Sequence, residues 1–552
     1  MKHRYLWPNF YRKRLKILFP RSIEAETTSK FLNFGLKKLE KFFKSSEPWL
    51  LKRKDNLGKI PNKIPEEGML PEKIISMVIE EFFPGVPNWR SPKLQYNICA
   101  PVNTVAQTLL SLGQEINIHN ISTDFAGNCL YAEKIISKMT ADLIDLPQDK
   151  VRALFSFGGT ASNMYAMKLS INKAVPNAGK TGVPSNLYVM ITEKAHFSHK
   201  TVGDWLGIGV DRLIQVNSDE ESRSIIDDAE AKARSIIEKG GILAGFQING
   251  GPFYDFAVDD IGAFVGLRDK LVKEYKLPFS PHIHVDSVIT WIWLMFNGYD
   301  FELNPLKIPL EILPTIKKQF ERIYQIRRAD SWGVDFHKGL GGCPTPCGLF
   351  VSNNKNELLL LSKKEKGIDT HHLGNDWSLE DPSDITLETS RSAGEALSAV
   401  GSLMSMGKNG FRRFLANQIF YTKIFRDLIS AENDFLVGNP HSLGFNTMVL
   451  ISPSNKKMVW KEFLKLAEDD SALLDRANEE TKSFYEFCLK SGGNIKRLGC
   501  SFSKSFYKTK TGKSVSGLKY CFVSPHMDFS SVKEEVEKIK KQLADFRISK
   551  KR

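Results

Sequence analysis

From about residue 106 to 350 the chain alternates short apolar runs with stretches of helical period, and this alternation constrains the fold more than any other feature. "RALFSF" precedes "SNMYAMKLSINKA", "NLYVMIT" precedes "HKTVGDWLG", "DRLIQV" precedes "DDAEAKARSIIEKG", "GILAGFQI" precedes "DDIGAFVGLRDKLVKEYK", and "HIHVD" ends the series. Apolar runs of strand length separated by amphipathic helices predict an α/β domain built on a mostly parallel sheet. Ligands in such sheets bind at the carboxyl ends of the strands, so the residues that close each run matter most.

Four features stand at those ends. "FSFGGTASN" runs from a strand into a helix through two glycines, which frees backbone N–H groups for an anion at the positive end of the helix dipole. "EKAHFSHK" puts His196 at the edge of the next strand, and "PHIHVDS" closes an apolar strand with Asp286, a carboxylate that is costly to bury without a cationic or protonated partner. "GVDFHKGLGGCPTPCGLF" ends its apolar run at His337-Lys338 and dissolves into glycine, proline and cysteine. Singly, each has a plain explanation: a turn, a packed histidine, a helix cap, a surface charge. Together, an anion cradle, a flat imidazole, a buried acid and a strand-end lysine match pyridoxal 5'-phosphate, with its phosphate, aromatic ring, protonated ring nitrogen and lysine-reactive aldehyde.

The rest of the chain sets the frame. Its 552 residues, 42% hydrophobic, can fill a large core divided among two or three domains. Residues 1–60 hold 16 Lys or Arg against 5 Asp or Glu, most of the net charge of +14. "FLNFGLKKLEKFFK" within them predicts a basic amphipathic helix with Leu32, Leu36, Leu39 and Phe43 on one stripe. Packing of that stripe on the protein or on a partner subunit is favoured over contact with an anionic membrane, and no nucleic-acid motif accompanies the charge. No run approaches the roughly 20 apolar residues of a membrane span, charges interrupt the N-terminus, and the seven cysteines form no disulfide pattern, so a cytoplasmic chain with free thiols is expected. Cys343 and Cys347, spaced C-x3-C, read as loop packing rather than a metal site, and no metal is expected. Residues 391–430 predict one long helix or two, interrupted near Gly407 and Gly410. The tail mixes short strands with amphipathic helices, as in a smaller α+β domain.

On these residues the chain resembles the group II pyridoxal-phosphate-dependent amino acid decarboxylases, the family of glutamate, cysteine sulfinate and aromatic amino acid decarboxylases. "FSFGGTASNMYAMKLS", "AHFSHKTVGDWLGIGVD", "HVDS" and "ADSWGVDFHKGLGGCPTPCGLFV" follow in the family's order, and the likeness runs from about residue 85 to 540. The resemblance implies the PLP-dependent transferase fold of type I: a mostly parallel large domain and a smaller α+β C-terminal domain. It implies a basic arm and dimer-packing segment over 1–105, a large cofactor domain over 106–405 and a small domain over 406–552. A homodimer with its active site at the subunit interface is implied too. Lys338 would carry the cofactor covalently, Asp286 would meet the ring nitrogen and His196 would stack on the ring. Gly159, Thr160 and His337 would hold the phosphate, with Ser331 nearby.

The departures concern the substrate side. The family's "GTT" is "GPF" at Gly251, Pro252 and Phe253, and the small residues after the aspartate are replaced by Ser287, Val288, Ile289, Thr290 and Trp291, so Val288 is expected to press on the ring. The loop that usually presents a tyrosine reads "GIDTHHLGNDW", with His372 or His371 as the proton donor in its place. Asn97 in "SPKLQYNICAP", Lys519 in "LKYCFVSP" and Arg391 in "TSRSAGEAL" fall on substrate-contacting positions of the resemblance. The activity implied is decarboxylation of an amino acid, an acidic one slightly favoured because Lys519 keeps a positive charge where the family has arginine. The alternatives are a carbon–carbon lyase or a decarboxylating oxidative deaminase on the same scaffold, or an inactive homologue that serves as a binding protein.

Overall fold

The structure, a computed structural model, describes residues 13, 16–20, 22–45, 60–368, 382–454, 457–490 and 498–551. The chain forms two compact units, residues 1–88 with 487–497 and residues 89–486 with 498–552. In the first, the expected basic helix is α1 (Ala25–Ser45), paired with α2 (Pro71–Phe82), whose first turn accepts Pro71 because no N–H is needed there. Lys30–Glu72 and Lys38–Glu80 contacts at 3.6 and 3.9 Å join them. Leu39 and Phe43 are half-buried, whereas Leu32 and Leu36 stay about half exposed.

The second unit opens with α3 (Thr104–Glu115), capped by Asn103, whose Oδ1 accepts the N–H groups of Val105 and Ala106. After α4 (Leu130–Leu143) comes the predicted alternation. It runs β1 (Arg152–Ser156), α5 (Gly159–Ala174), β2 (Leu187–Thr192), α6 (Ser198–Trp205), β3 (Leu213–Val216), α7 (Ile226–Glu238), β4 (Ile242–Asn249), α8 (Ile261–Tyr275) and β5 (His282–Asp286). A fully buried 3-10 segment, Thr290–Phe296, and α9 (Leu313–Tyr324) lead to β6 (Ser331–Asp335) and β7 (Gly348–Ser352). These strands form one seven-stranded sheet in the order β1-β7-β6-β5-β4-β2-β3. The pairs from β3 through β6 are parallel, as expected; β7 is antiparallel to both β6 and β1. The glycine- and proline-rich stretch after Lys338 is therefore the return of a wide hairpin, a strand that the apolar "CGLFV" carried without being read as one.

Side-chain parity sorts this sheet. On β5, Ile283 and Val285 enter the apolar core while His282, His284 and Asp286 face α5. Registers Asn249↔Asp286 and His284↔Ser331 align the neighbouring strands with β5.

The long helix is α10 (Gly394–Ala431), kinked at Gly407, where φ is +60°, at the interruption the sequence marked. Beyond it β8 (Phe435–Val437), β9 (Asn446–Ile451), α11 (Trp460–Asp469), α12 (Ser471–Lys490), β10 (Ser501–Lys508), β11 (Ser514–Cys521) and α13 (Phe529–Lys551) supply an antiparallel four-stranded sheet, order β10-β11-β9-β8. Its core gathers Leu436, Met448, Leu450, Trp460, Phe463 and Leu474.

Candidate active site

The first strand end is a cradle. Gly158 takes φ +117°, a conformation that only glycine adopts without strain, and Gly159 then opens α5. Contacts are tight: a Cβ on Gly159 would lie 2.8 Å from Val288 Cγ1 and 3.0 Å from Asp335 Oδ2, and one on Gly348 would lie 2.3 Å from Gly158 Cα. The N–H groups of Gly159 and Thr160 precede the helix's own ladder and the Thr160 side chain is exposed, so both remain available to an anion. Val288 fills the space bounded by Gly159 and Gly333.

His337 sits against this cradle, its Cε1 3.3 Å from where a Cβ of Gly158 would lie. The Cys347 backbone fixes its Nδ1, at 3.1 Å from the carbonyl and 3.2 Å from the N–H. That is the packing job of the Cys343–Cys347 loop, in which both thiols are free and buried.

Lys338 follows β6 by three residues. Its Nζ is 2.7 Å from Oδ2 of Asp335, a carboxylate with no exposure at all. Burial would lower the lysine pKa; the Asp335 contact, helped by Asp286, outweighs it and holds the ammonium above its ordinary value. The turn is anchored from below by Phe336, 4.9 Å centroid to centroid from Trp291 and 6.2 Å from Phe155, a buried ring worth about 1.5–3 kcal/mol. Rigid support under a strand-end lysine answers why one should stand where the backbone is so loose.

Asp286 ends β5 and is nine-tenths buried. Its Oδ2 accepts from Asn163 Nδ2 at 3.1 Å and pairs with His199 Nε2 at 3.2 Å, whereas Oδ1 is buried with no hydrogen-bond partner. Burial alone would raise its pKa, but His199 first, then His196 and Lys338, hold it well below the carboxylate range. Asn163 and His199 were quoted in "SNMYAM" and "HFSHK" without a role; the signal was their spacing, four residues after Gly159 and three after His196.

His196 lies four residues beyond β2, open on one side, its Nδ1 2.8 Å from Ser198 Oγ. Desolvation by the protein behind it, partly offset by Asp286, sets its pKa below that of an ordinary imidazole.

A second cluster stands beside the lysine. Residues 97–100 pass along the turn, with Cys99 bridged to Lys338 through the backbone, Ala100 N–H on His337 O and Gly339 N–H on Ile98 O. β11, which carries Lys519, is tied to the chain just before this segment by the Cys521 N–H on Gln95 O at 2.8 Å; burial raises the pKa of the Cys99 thiol, against the charges of Lys338 and Lys519. Lys519 makes no ion pair with a carboxylate among the described residues; its Nζ lies 4.1 Å from the centroid of Phe253, the residue that departs from "GTT". Burial lowers the pKa of this lysine. Asn97 is half-buried, its Oδ1 accepting from Ile98 N–H at 2.9 Å.

Two expectations need correction. Arg391 does not face a substrate: its Nη1 donates to Glu133 Oε2 at 3.0 Å and Phe155 O at 2.8 Å, and its Nη2 to Asn120 O at 3.3 Å, all buried. It ties α4, β1 and the start of α10 together. Ser331 lies at the opposite end of β6 from Lys338, its hydroxyl shared between His282 Nε2 and His284 Nδ1 at 2.7 and 2.8 Å. His371 and His372 lie outside the described residues.

The remaining residues fit pyridoxal phosphate. Asp286 Oδ1 is an orphaned buried acceptor of the kind a protonated ring nitrogen satisfies, the glycine cradle is closed to any side chain, and Lys338 is held by Asp335, whose Oδ2 borders that cradle. The fold is the one expected of type I pyridoxal-phosphate-dependent proteins, and the site has room and partners for that cofactor. Residues 54–287 match the pyridoxal-dependent decarboxylase conserved domain. The matched segment ends just past Asp286, so Lys338 rests on the geometry.

Among relatives, the chain is 26% identical over 242 residues to the acidic amino acid decarboxylase GADL1 of Xenopus tropicalis, covering 41% of each chain. It is 23% identical over 319 residues to L-2,4-diaminobutyrate decarboxylase of Rhizobium meliloti, covering 57% of this chain and 56% of that one. The chain spans about half the length of the curated relatives it matches. Among solved structures it resembles mouse CSAD, with a TM-score of 0.75 at 15% identity over 94% of this chain and 99% of that one. It also resembles Oryza sativa TDC with PLP and tryptamine, with a TM-score of 0.76 at 14% identity over 95% and 99%.

Proposed function

We propose that this protein is a pyridoxal-phosphate-dependent amino acid decarboxylase. The observation that carries the reading is the convergence of Lys338, the open Oδ1 of Asp286 and the Gly158–Gly159 cradle at one edge of the sheet. Pyridoxal phosphate, when bound, supplies an aldehyde that condenses with amines and a ring that accepts the electrons left when carbon dioxide departs.

The chain's own groups divide the remaining tasks. Gly159 and Thr160 N–H groups, the Thr160 hydroxyl and His337 hold the phosphate, and His196 covers the ring. Asp286, kept anionic by His199 and oriented by Asn163, holds the proton on the ring nitrogen. Lys338 binds the cofactor, and Asp335 keeps a proton at Nζ until it does. A histidine of the 371–372 pair returns a proton to the substrate carbon.

Lys519, charged and without a carboxylate partner among the described residues, supports an acidic side chain on the substrate. Exposed Val105, Leu112 and Ile116 on and after α3, Tyr131 and Ile135 on α4, and Met404 on α10 support a face covered by a second copy. The seven cysteines, scattered through the sequence in no disulfide pattern, support a reducing, cytoplasmic setting. No helix among the described residues is long and apolar enough to cross a membrane.

The test is carbon dioxide release from a panel of amino acids by the cofactor-loaded protein, with the amine identified in the product. Lys338→Ala should abolish release and lose the borohydride-trapped cofactor adduct while keeping the fold. Full activity in that variant, or an aldehyde with ammonia among the products, overturns the reading.

A further inference from the structure

A buried polar column leads away from Asp286, and the chemistry above does not use it. His282, His284 and Asp286 alternate on β5 and share the face under α5. His282, His284 and Ser331 have no exposure, and burying imidazoles is costly unless they are bonded. Both rings share one hydroxyl, His282 Nε2 at 2.7 Å and His284 Nδ1 at 2.8 Å from Ser331 Oγ. A serine has one proton to give and can accept two, so at most one of the rings accepts from it.

Glu357 sets the direction. Its Oε2 lies 3.4 Å from His282 Nδ1, and its Oε1 accepts from Lys173 Nζ at 2.8 Å, both side chains reaching the surface. Burial would raise the pKa of Glu357, but His282 and Lys173 hold it at about 2, so it is an acceptor. The Glu357 carboxylate beside Nδ1 favours a proton there, the pair being a close contact at 3.4 Å rather than a hydrogen bond; Nε2 then takes the Ser331 O–H, and the serine oxygen takes Nδ1–H of His284. Burial keeps His284 neutral, and its bare Nε2 is buried without a hydrogen-bond partner two residues from Asp286. The other charged groups facing the column are Asp330, 4.0 Å from His282 Nδ1 and paired with Arg268 at 3.1 Å, and His199 at the Asp286 end.

We propose that Glu357, His282, Ser331 and His284 are positioning residues that order protons along β5, so that every N–H and O–H dipole points away from Asp286 and strengthens its hold on the cofactor's ring proton. This rests on the cofactor reading above. The sum of aligned dipoles is a negative potential at the ring nitrogen, delivered through the strand rather than by a second carboxylate in the pocket.

The test loads the full chain with pyridoxal phosphate and follows the absorption spectrum of the bound cofactor across pH, together with the rate of cofactor loss on dilution. Glu357→Gln removes the anchoring charge; Ser331→Ala deletes one oxygen, changes no charge and leaves the packing nearly intact. Both should lower the spectral midpoint by about one pH unit and speed cofactor loss several-fold. A shift in Glu357→Gln alone means a through-space charge and overturns the column. Variants that unfold at lower temperature with wild-type spectra and off-rates overturn it as well, leaving the groups structural. A wild-type chain that takes up no pyridoxal phosphate sinks the cofactor reading and the column with it.

Discussion

The two halves of the site are built on opposite plans. At the cofactor end, each charged group has a partner inside the protein: Asp286 has His199 and Asn163, Lys338 has Asp335, and His337 has the Cys347 backbone. At the end proposed for the substrate, Lys519 has an aromatic face and no carboxylate among the described residues, and Asn97 spends its oxygen on its own neighbour. Internal partners fix geometry before a ligand arrives, as chemistry on one invariant cofactor requires. A cation held without a carboxylate waits for an anion that comes and goes.

The largest effect should follow from breaking the pre-arranged half. Asp286→Asn keeps the shape and the Asn163 contact but removes the charge beside the ring nitrogen. Turnover should fall on the order of 10²- to 10³-fold, with faster loss of cofactor in dialysis. A variant that keeps wild-type turnover would make the Asp286 partners merely structural.

Arg391 sharpens the contrast, because both its Nη groups are spent on buried groups of the protein rather than on a ligand. Arg391→Met leaves the Glu133 carboxylate, which has no exposure, with Arg152 at 4.0 Å as its remaining cation, and should cost about 3 kcal/mol in urea unfolding. Its KM should be unchanged at temperatures where the variant is folded. A rise in KM alone, with stability intact, would return Arg391 to the substrate.

This contrast also explains what was legible in the sequence. Lys338, Asp286 and Gly159 could be singled out because Asp286 closes a strand and the other two follow one within three residues, and strand ends are visible as places where an apolar run stops. The antiparallel β7 was hidden because proline and glycine before it suggested an open loop, whereas they only widen a hairpin. Arg391 was misread because its partner Glu133 lies 258 residues away, a pairing no local pattern encodes. Ser331 was misplaced by one strand length, since nearness to Lys338 in sequence is distance along an extended chain, at about 3.3 Å per residue. Phe253 looked like a lost contact, and became intelligible only when β11 brought Lys519 over its ring.

At the open half, Lys519→Met should lower kcat/KM for an acidic substrate roughly 10- to 100-fold while sparing a neutral one. Burial lowers the lysine's pKa, so its charge is present at low pH and is lost as pH rises through that depressed value. For an acidic substrate, kcat/KM should therefore fall on the alkaline side earlier than an ordinary lysine would dictate. Lys519→Arg should move that limb upward. A limb that stays in place in both variants assigns the titration to another group.

The smallest effect tests whether Phe253 matters to the substrate through Lys519 or only through packing. A lysine ammonium 4.1 Å from a ring centroid gains about 0.5–1 kcal/mol at a partly exposed site. Phe253→Leu keeps an apolar side chain but removes the ring's negative face, so Lys519 loses its rest position and an acidic substrate must order it anew. KM for that substrate should rise roughly two- to tenfold with kcat unchanged. In a Lys519→Met background the same substitution should do almost nothing, because there is no longer a cation to hold. Equal losses in both backgrounds would show that the ring supports the cofactor end after all, and the line between the two halves would have to be redrawn through Phe253.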